Sequence, residues 1–229
     1  MSRNISVIII LSLLFTGYSW SQSFIQPNSG QKWPETLVIN KVEATSKATT
    51  FFLTVENRIA GGAFCADKHI YLSYPDGTRS KLISSNGIPV CPDSYKFKAI
   101  GEKLDFTLTF PPLKQGVMWV DLIEDCPDNC FYFYGVTLDN GLNQRINNAF
   151  SLAENDENVK ALISFIDILT ETDSRNLGAE GLLYINIINL VRESGSTAQA
   201  SDWYKKLKSS GAPRLSGYIK YLNDQGIKY

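Results

Sequence analysis

The sequence contains a single histidine and no Gly-x-Ser-x-Gly motif around any of its serines. A serine or cysteine hydrolase needs a base beside its nucleophile and an acid that orients the base. His69 stands at the start of a predicted strand without such partners, and we interpret it as a surface residue. The chain is therefore predicted to be non-catalytic and to need no cofactor.

The chain also has almost no net charge. Its 22 lysines and arginines are balanced by 23 aspartates and glutamates, so the formal charge is −1. A nucleic-acid-binding surface usually makes a domain strongly basic, and we predict no nucleic-acid partner. With 44% hydrophobic and 20% charged residues, the 229-residue chain is typical of a globular protein of one large or two small domains.

Long apolar runs are scarce as well. The one candidate, residues 5–15, is shorter than the roughly 20 residues that span a bilayer. It precedes Ser19 and Ser21, two small residues placed as expected before a cut at Gln22. We therefore predict a signal peptide at residues 1–21 and no transmembrane segment after its removal. The mature protein is expected in the periplasm, on the outer-membrane surface or outside the cell.

Cysteine is limited to four residues: Cys65, Cys91, Cys126 and Cys130. An even number in an exported chain predicts disulfides, and four cysteines allow three pairings. Proximity favours Cys126–Cys130 and leaves Cys65–Cys91 as the second bridge. The three-residue spacing of the close pair differs from a redox Cys-x-x-Cys motif. One such pair is too few for a typical zinc site, so no metal is predicted.

An acidic cluster surrounds the close cysteine pair and consists of Asp121, Glu124, Asp125 and Asp128. Carboxylates of this kind bind Ca²⁺ when they alternate along a defined loop. The four residues lack that alternation. We interpret them as a solvated loop.

The first two-thirds of the chain has the pattern of β-strands. Phe106, Leu108 and Phe110 alternate with polar residues, which is typical of a half-buried strand. After an extended lead-in at residues 22–35, the same reasoning predicts strands at 36–44, 49–56, 70–74, 79–83, 95–100, 105–110, 117–123 and 131–136. Many short strands separated by turn signals favour a β-sandwich, which we place at residues 36–140.

The apolar period becomes helical after Asp139, and residues 141–229 are predicted to form an all-α domain. Helices are expected at 143–153, 158–170 and 176–193. Ser196 and Gln199 are spaced as a capping box for the next helix. Pro213 is expected at the first position of the last helix, which Gly226 ends. The predicted fold class is α+β, an N-terminal antiparallel, immunoglobulin-like sandwich followed by helices.

Four segments of the β part carry a family resemblance: Gly87-Ile88-Pro89, residues 102–113, Asp121-Leu122-Ile123-Glu124 and residues 131–136. In this order they resemble an immunoglobulin-like β-sandwich module common in secreted Bacteroidetes proteins, and the resemblance covers residues 36–138. It implies export and a sandwich fold, and it leaves the activity open. In that family the module often accompanies another domain, sometimes a thioredoxin-like one, whereas the second part here is helical.

Two tyrosines in the last strand are the candidate binding residues. Tyr132 and Tyr134 are expected on one face of the strand, with Phe131 and Phe133 on the other. The preferred interpretation buries the tyrosines beneath the helical domain, where they cover apolar residues of the first helix, namely Leu142, Ile146, Ala149 and Ala153. The other interpretation leaves them open as a platform for a sugar ring or a partner.

These observations predict a non-catalytic exported protein that interacts with a protein or glycan of the cell envelope. The alternative is a carbohydrate-binding module that uses the aromatic strand face.

Overall fold

The computed structural model describes residues 21–172 and 176–229. Within these residues, twelve strands are followed by five helices. The strands are β1 (Ser21–Ile25), β2 (Gln31–Trp33), β3 (Leu37–Thr45), β4 (Thr49–Glu56), β5 (Ala63–Phe64), β6 (Ile70–Ser73), β7 (Arg79–Lys81), β8 (Ser84–Asn86), β9 (Tyr95–Lys96), β10 (Lys103–Phe110), β11 (Trp119–Glu124) and β12 (Tyr132–Thr137). Residues 1–20 of the predicted signal peptide lie outside the described residues.

Two five-stranded antiparallel sheets form the β region, in the orders β1-β3-β4-β10-β8 and β2-β12-β11-β6-β7. Their alternating apolar residues contribute to one hydrophobic core, which includes Phe51 and Phe106 from the first sheet and Leu72 and Leu122 from the second. The period-2 pattern of the sequence therefore located the core correctly, and the α+β class is confirmed.

The lead-in contains two strands that the sequence did not reveal. β1 pairs with β3, and β2 pairs with β12 at the edge of the second sheet. Within them Phe24 is buried, whereas Trp33 is half exposed. Edge strands held mainly by backbone hydrogen bonds need no apolar alternation, so the usual strand pattern is absent here.

The helices are α1 (Asn140–Glu154), α2 (Asn158–Thr172), α3 (Glu180–Glu193), α4 (Thr197–Ser209) and α5 (Leu215–Asp224). α1, α2, α3 and α4 contact one another in succession, and α5 packs on α3 and α4. Asp139 caps α1, because its Oδ1 accepts a hydrogen bond from the backbone N–H of Leu142 at 3.0 Å. The helical region has a core of its own that includes Ile146, Phe165 and Leu183.

The starts of α3 and α5 differ from the prediction, whereas α4 begins directly after Ser196 as predicted but lacks the predicted capping hydrogen bond. α3 begins at Glu180 rather than at residue 176, since Gly178 adopts a positive φ of 78° just before it. Ser196 precedes α4, but its side chain makes no capping hydrogen bond. α5 begins at Leu215 instead of Pro213, because Arg214 adopts a left-handed conformation with φ 59°.

Among the described residues, no helix combines the length and the apolar character needed to cross a membrane.

The β region and the helical region pack closely at glycine residues, which leave no room for a side chain. A Cβ atom on Gly178 would lie 2.5 Å from the ring of Trp119 in β11, and one on Gly217 in α5 would lie 2.4 Å from Oε1 of Gln31 in β2. Within the helical region, a Cβ atom on Gly181 would overlap the ring of Tyr218. Trp119 also donates a hydrogen bond from Nε1 to the carbonyl oxygen of Asn176 at 3.0 Å. These contacts hold the segment before α3 and the helix α5 against the second sheet, and only residues 138–139 connect β12 to α1.

Candidate functional site

A cleft of about 750 Å³ opens between the second sheet and the helical region. β2 and β12 form one wall, and α3 and α5 form the other. Its polar and aromatic lining includes Gln31, Tyr132, Asn186, Asn189 and Tyr221. This volume lies in the range of small-molecule binding sites, which occur preferentially at domain interfaces.

The structure assigns different environments to the two candidate tyrosines. Their rings stack with centroids 4.4 Å apart. Tyr132 is partly buried and lines the cleft. Tyr134 lies beneath the guanidinium group of Arg214, 4.6 Å from its ring centroid, and burial raises the pKa of its hydroxyl. Tyr132 thus faces the ligand space and Tyr134 the contact between the two regions.

Contrary to the prediction, the apolar residues of α1 are not covered by the tyrosines of β12. Leu142, Ile146 and Ala149 are buried in the core of the helical region, and Ala153 packs at its margin. On the outer face of β12, the ring of Tyr134 contacts the guanidinium group of Arg214, the residue before α5. Phe131 and Phe133 point into the β core as predicted.

The amide side chains of the cleft retain hydrogen-bonding capacity. Asn186 and Asn189 lie three residues apart on α3, a spacing that places both on one face of a helix. Asn186 donates from Nδ2 to the carbonyl oxygen of Leu182 at 2.8 Å, which leaves its own amide oxygen available. Sequence reasoning missed this pair, although two asparagines in an otherwise apolar helix are a recognisable signal.

The charged groups at the cleft are largely satisfied by the protein. Lys220 forms an ion pair with Asp224 at 2.5 Å. Lys32 donates from Nζ to the carbonyl oxygens of Glu35 and Leu37 at 2.9 and 3.0 Å, and burial lowers the pKa of its ammonium group. With Glu35 included, the two lysines and two carboxylates of the lining leave the cleft without net charge.

Both disulfides have the predicted pairing, Cys65–Cys91 and Cys126–Cys130. They line a second, smaller cavity of about 340 Å³ beside the loop that joins β11 to β12. His69 lies near this loop on the surface, with Nδ1 2.9 Å from Oδ1 of Asp67. The prediction of a surface histidine is confirmed.

The acidic cluster is not a solvated loop throughout. Asp121 and Glu124 are buried, whereas Asp125 and Asp128 are exposed. A register shift between Val120 and Leu122 interrupts the alternation of β11 at Asp121. The two buried carboxylates consequently have separate partners.

Each buried carboxylate is satisfied by specific donors. Asp121 accepts from Gly135 N–H at 2.8 Å and from the guanidinium group of Arg214. Glu124 accepts from Asp67 N–H at 2.7 Å and from Phe131 N–H at 2.9 Å. Burial raises the pKa of Glu124 despite these hydrogen bonds.

No protein-family model matched this chain, and the searches of curated proteins and of solved structures gave no match either.

Proposed function

We propose that the protein is a non-catalytic binding protein of an exported compartment and that its ligand site is the cleft between the sheet and the helices. The observation that carries the proposal is the cleft itself, in which both regions contribute side chains to one space of about 750 Å³. Close packing at Gly178 and Gly181 supports fixed walls, and a preformed site binds without an ordering penalty.

Export is supported by two independent features. The N-terminal residues have the signal-peptide pattern, and the four cysteines are all in disulfides. Disulfides persist in oxidising compartments and are rare where thiols are kept reduced. An immunoglobulin-like sandwich of the secreted Bacteroidetes type is part of the same proposal, and two antiparallel sheets around one core support it.

A neutral glycan is the ligand class that the lining favours. The ring of Tyr132 offers an apolar face for the C–H groups of a sugar. Amides both donate and accept hydrogen bonds, so Asn186 and Asn189 can pair with sugar hydroxyl groups that act as donors or as acceptors. The Lys220–Asp224 pair leaves little net charge to select an ionic ligand.

The experiment is a glycan screen of the mature protein, followed by calorimetric titration of each ligand found. Tyr132→Ala and Asn189→Ala are expected to weaken binding about tenfold, which corresponds to about 1.4 kcal/mol. Tyr229→Ala is the matched control, because Tyr229 is a partly exposed tyrosine that does not line the cleft. Equal effects of Tyr132→Ala and Tyr229→Ala would argue against the cleft as the site.

A second candidate ligand is an extended segment of an envelope protein. β2 is an edge strand, and its residues Gln31 and Lys32 line the cleft. An exposed edge can accept a further strand through main-chain hydrogen bonds. Cross-linking from the cleft to a co-purified envelope protein, lost in Tyr132→Ala and accompanied by an empty glycan screen, would favour this candidate.

A further inference from the structure

The smaller cavity brings a buried carboxylate next to two sulfur atoms. Glu124 ends β11, and the loop that follows carries Cys126 and Cys130. One carboxylate oxygen and the two Sγ atoms all lie within 4.8 Å of one another. Three metal-ligating groups thus lie close together, and two of them, Glu124 and Cys126, line a cavity of about 340 Å³.

We propose that reduction of the Cys126–Cys130 disulfide creates a zinc site, in which both cysteine thiolates and the Glu124 carboxylate bind the ion. Three protein ligands with a water molecule in the fourth position form a known type of tetrahedral zinc site. The cavity provides space for that fourth ligand. The cleft between the sheet and the helices is not involved, so this inference is independent of the proposed function.

The distances fit this geometry. With Zn–S bonds of about 2.3 Å and Zn–O bonds of about 2.1 Å, a tetrahedral site separates sulfur from oxygen by about 3.6 to 3.7 Å. The Oε2 atom of Glu124 lies 3.8 Å from Sγ of Cys126. The two sulfur atoms, which are bonded in the disulfide, have to separate after reduction, and the loop residues between them, 127–129, are exposed.

The carboxylate is held in place by the backbone. Its two oxygens accept hydrogen bonds from Asp67 N–H and Phe131 N–H, and each oxygen keeps a further lone pair. Hydrogen bonds of this kind orient a metal ligand and raise the affinity of the site. A bound cation would also offset the desolvation that raises the pKa of this buried carboxyl.

A backbone donor also faces one of the sulfur atoms. The N–H of Cys126 lies 3.1 Å from Sγ of Cys130. After reduction, this N–H would donate to a negatively charged thiolate, and a donor aimed at the charged form stabilises it. The loop therefore provides an existing partner for one thiolate of the proposed site.

The redox step needs a dithiol, such as a reduced thiol–disulfide exchange protein. One dithiol is oxidised to its disulfide, while the Cys126–Cys130 bond breaks and two cysteine thiols form. Binding of Zn²⁺ then releases one proton from each thiol. Two thiolates and one carboxylate favour zinc over Mg²⁺ or Ca²⁺, which prefer oxygen ligands alone.

The test is a titration of Zn²⁺ against a chromophoric chelator, with the mature protein first oxidised and then reduced without oxygen. One equivalent is expected to bind to the reduced protein and none to the oxidised protein at the same concentration. Glu124→Gln is expected to lower the affinity about 10–100-fold, and Cys126→Ser together with Cys130→Ser should abolish binding. A Co²⁺-substituted sample should show a sulfur-to-cobalt charge-transfer band.

The second disulfide serves as the matched control, since Cys65 and Cys91 line the same cavity and are reduced under the same conditions. The Cys65→Ser, Cys91→Ser variant should retain the affinity of the wild type. Zinc binding that depends on Cys65 and Cys91, or that is unchanged in Glu124→Gln, would overturn the proposal. The second of these outcomes also identifies thiolate binding by an unfolded chain, because such binding does not need the carboxylate.

Discussion

Arg214 and Asp121 join the start of α5 to the middle of β11 across the contact between the two regions. The Nε and Nη2 atoms of Arg214 donate to the same oxygen of Asp121, at 3.1 and 2.5 Å. The other oxygen of Asp121 accepts from Gly135 N–H. Only 2% of Asp121 is exposed, so these donors replace the water that its carboxylate has lost.

Replacement of Arg214 by alanine should lower the free energy of unfolding by about 3–5 kcal/mol, because the buried carboxylate loses its counter-charge. Denaturant titration measures the change. Lys220→Ala is the control, since the Lys220–Asp224 pair is exposed and its loss should cost about 0–1 kcal/mol. Similar values for the two variants would contradict a structural role for the Arg214–Asp121 pair.

Gly181→Ala should destabilise the contact between α3 and α5. The new methyl group overlaps the ring of the buried Tyr218, and overpacking of this kind costs about 1–3 kcal/mol. Gly141→Ala, also near a helix start, meets only the carboxylate of Asp139 at 3.3 Å and should change stability by about 0.5 kcal/mol or less. Thermal unfolding of both variants measures the difference. Equal melting temperatures would show that the methyl group at residue 181 fits without cost.

The two disulfides should contribute unequally to stability. Cys65–Cys91 links residues 26 apart and Cys126–Cys130 residues 4 apart. The chain-entropy model gives about 3–4 kcal/mol for the longer loop and about 2 kcal/mol for the shorter one. Unfolding of the two double cysteine-to-alanine variants measures this order. A larger loss from the short loop would show that strain or residual structure outweighs loop entropy.

Glu102 should make the β region sensitive to acid. Its carboxylate accepts from the Tyr95 hydroxyl and from the backbone N–H of Lys98, which lowers its pKa below 4.5. The unfolded chain then binds more protons just below that pH, so the stability contribution is lost as the pH falls through this window. Denaturant titrations across this range should show a shallower pH dependence for Glu102→Gln. An unchanged slope would count against the hydrogen bonds.

Mature protein is expected to begin at Gln22. N-terminal sequencing of exported material checks this prediction, and retention of Met1 would contradict it. The cut would remove Ser21, the first residue of β1, and leave the remaining four residues of that strand paired with β3.

The sequence predicted those parts of the fold that are determined by local patterns. β4 occupies the predicted residues 49–56, because its apolar alternation and the flanking turn residues agree. The glycine after the last helix also occurs where expected, since Gly226 adopts a positive φ of 76°. In each case the local backbone preference and the tertiary structure require the same conformation.

The errors occur where a distant contact determines the local structure. Pro213 is a good first helical residue, but Arg214 adopts a left-handed conformation and reaches Asp121, 93 residues earlier in the chain. The candidate site shows the same limit. Tyr132 was identified from its strand, whereas Asn186 and Asn189 become relevant only after α3 is placed opposite that strand.

If the protein is exported and binds its ligand in the cleft, as proposed, the position of β2 has a consequence for the order of folding during secretion. Gln31 pairs with Tyr134, about a hundred residues later, and Asn28 donates from its backbone N–H to the side chain of Asn143. A chain that crosses a membrane from its N-terminus delivers the lead-in first and its partners last. Residues 22–35 therefore remain without these partners until most of the β region has crossed the membrane. Because β2 also lines the cleft, a nascent chain acquires its ligand site only at the end of translocation.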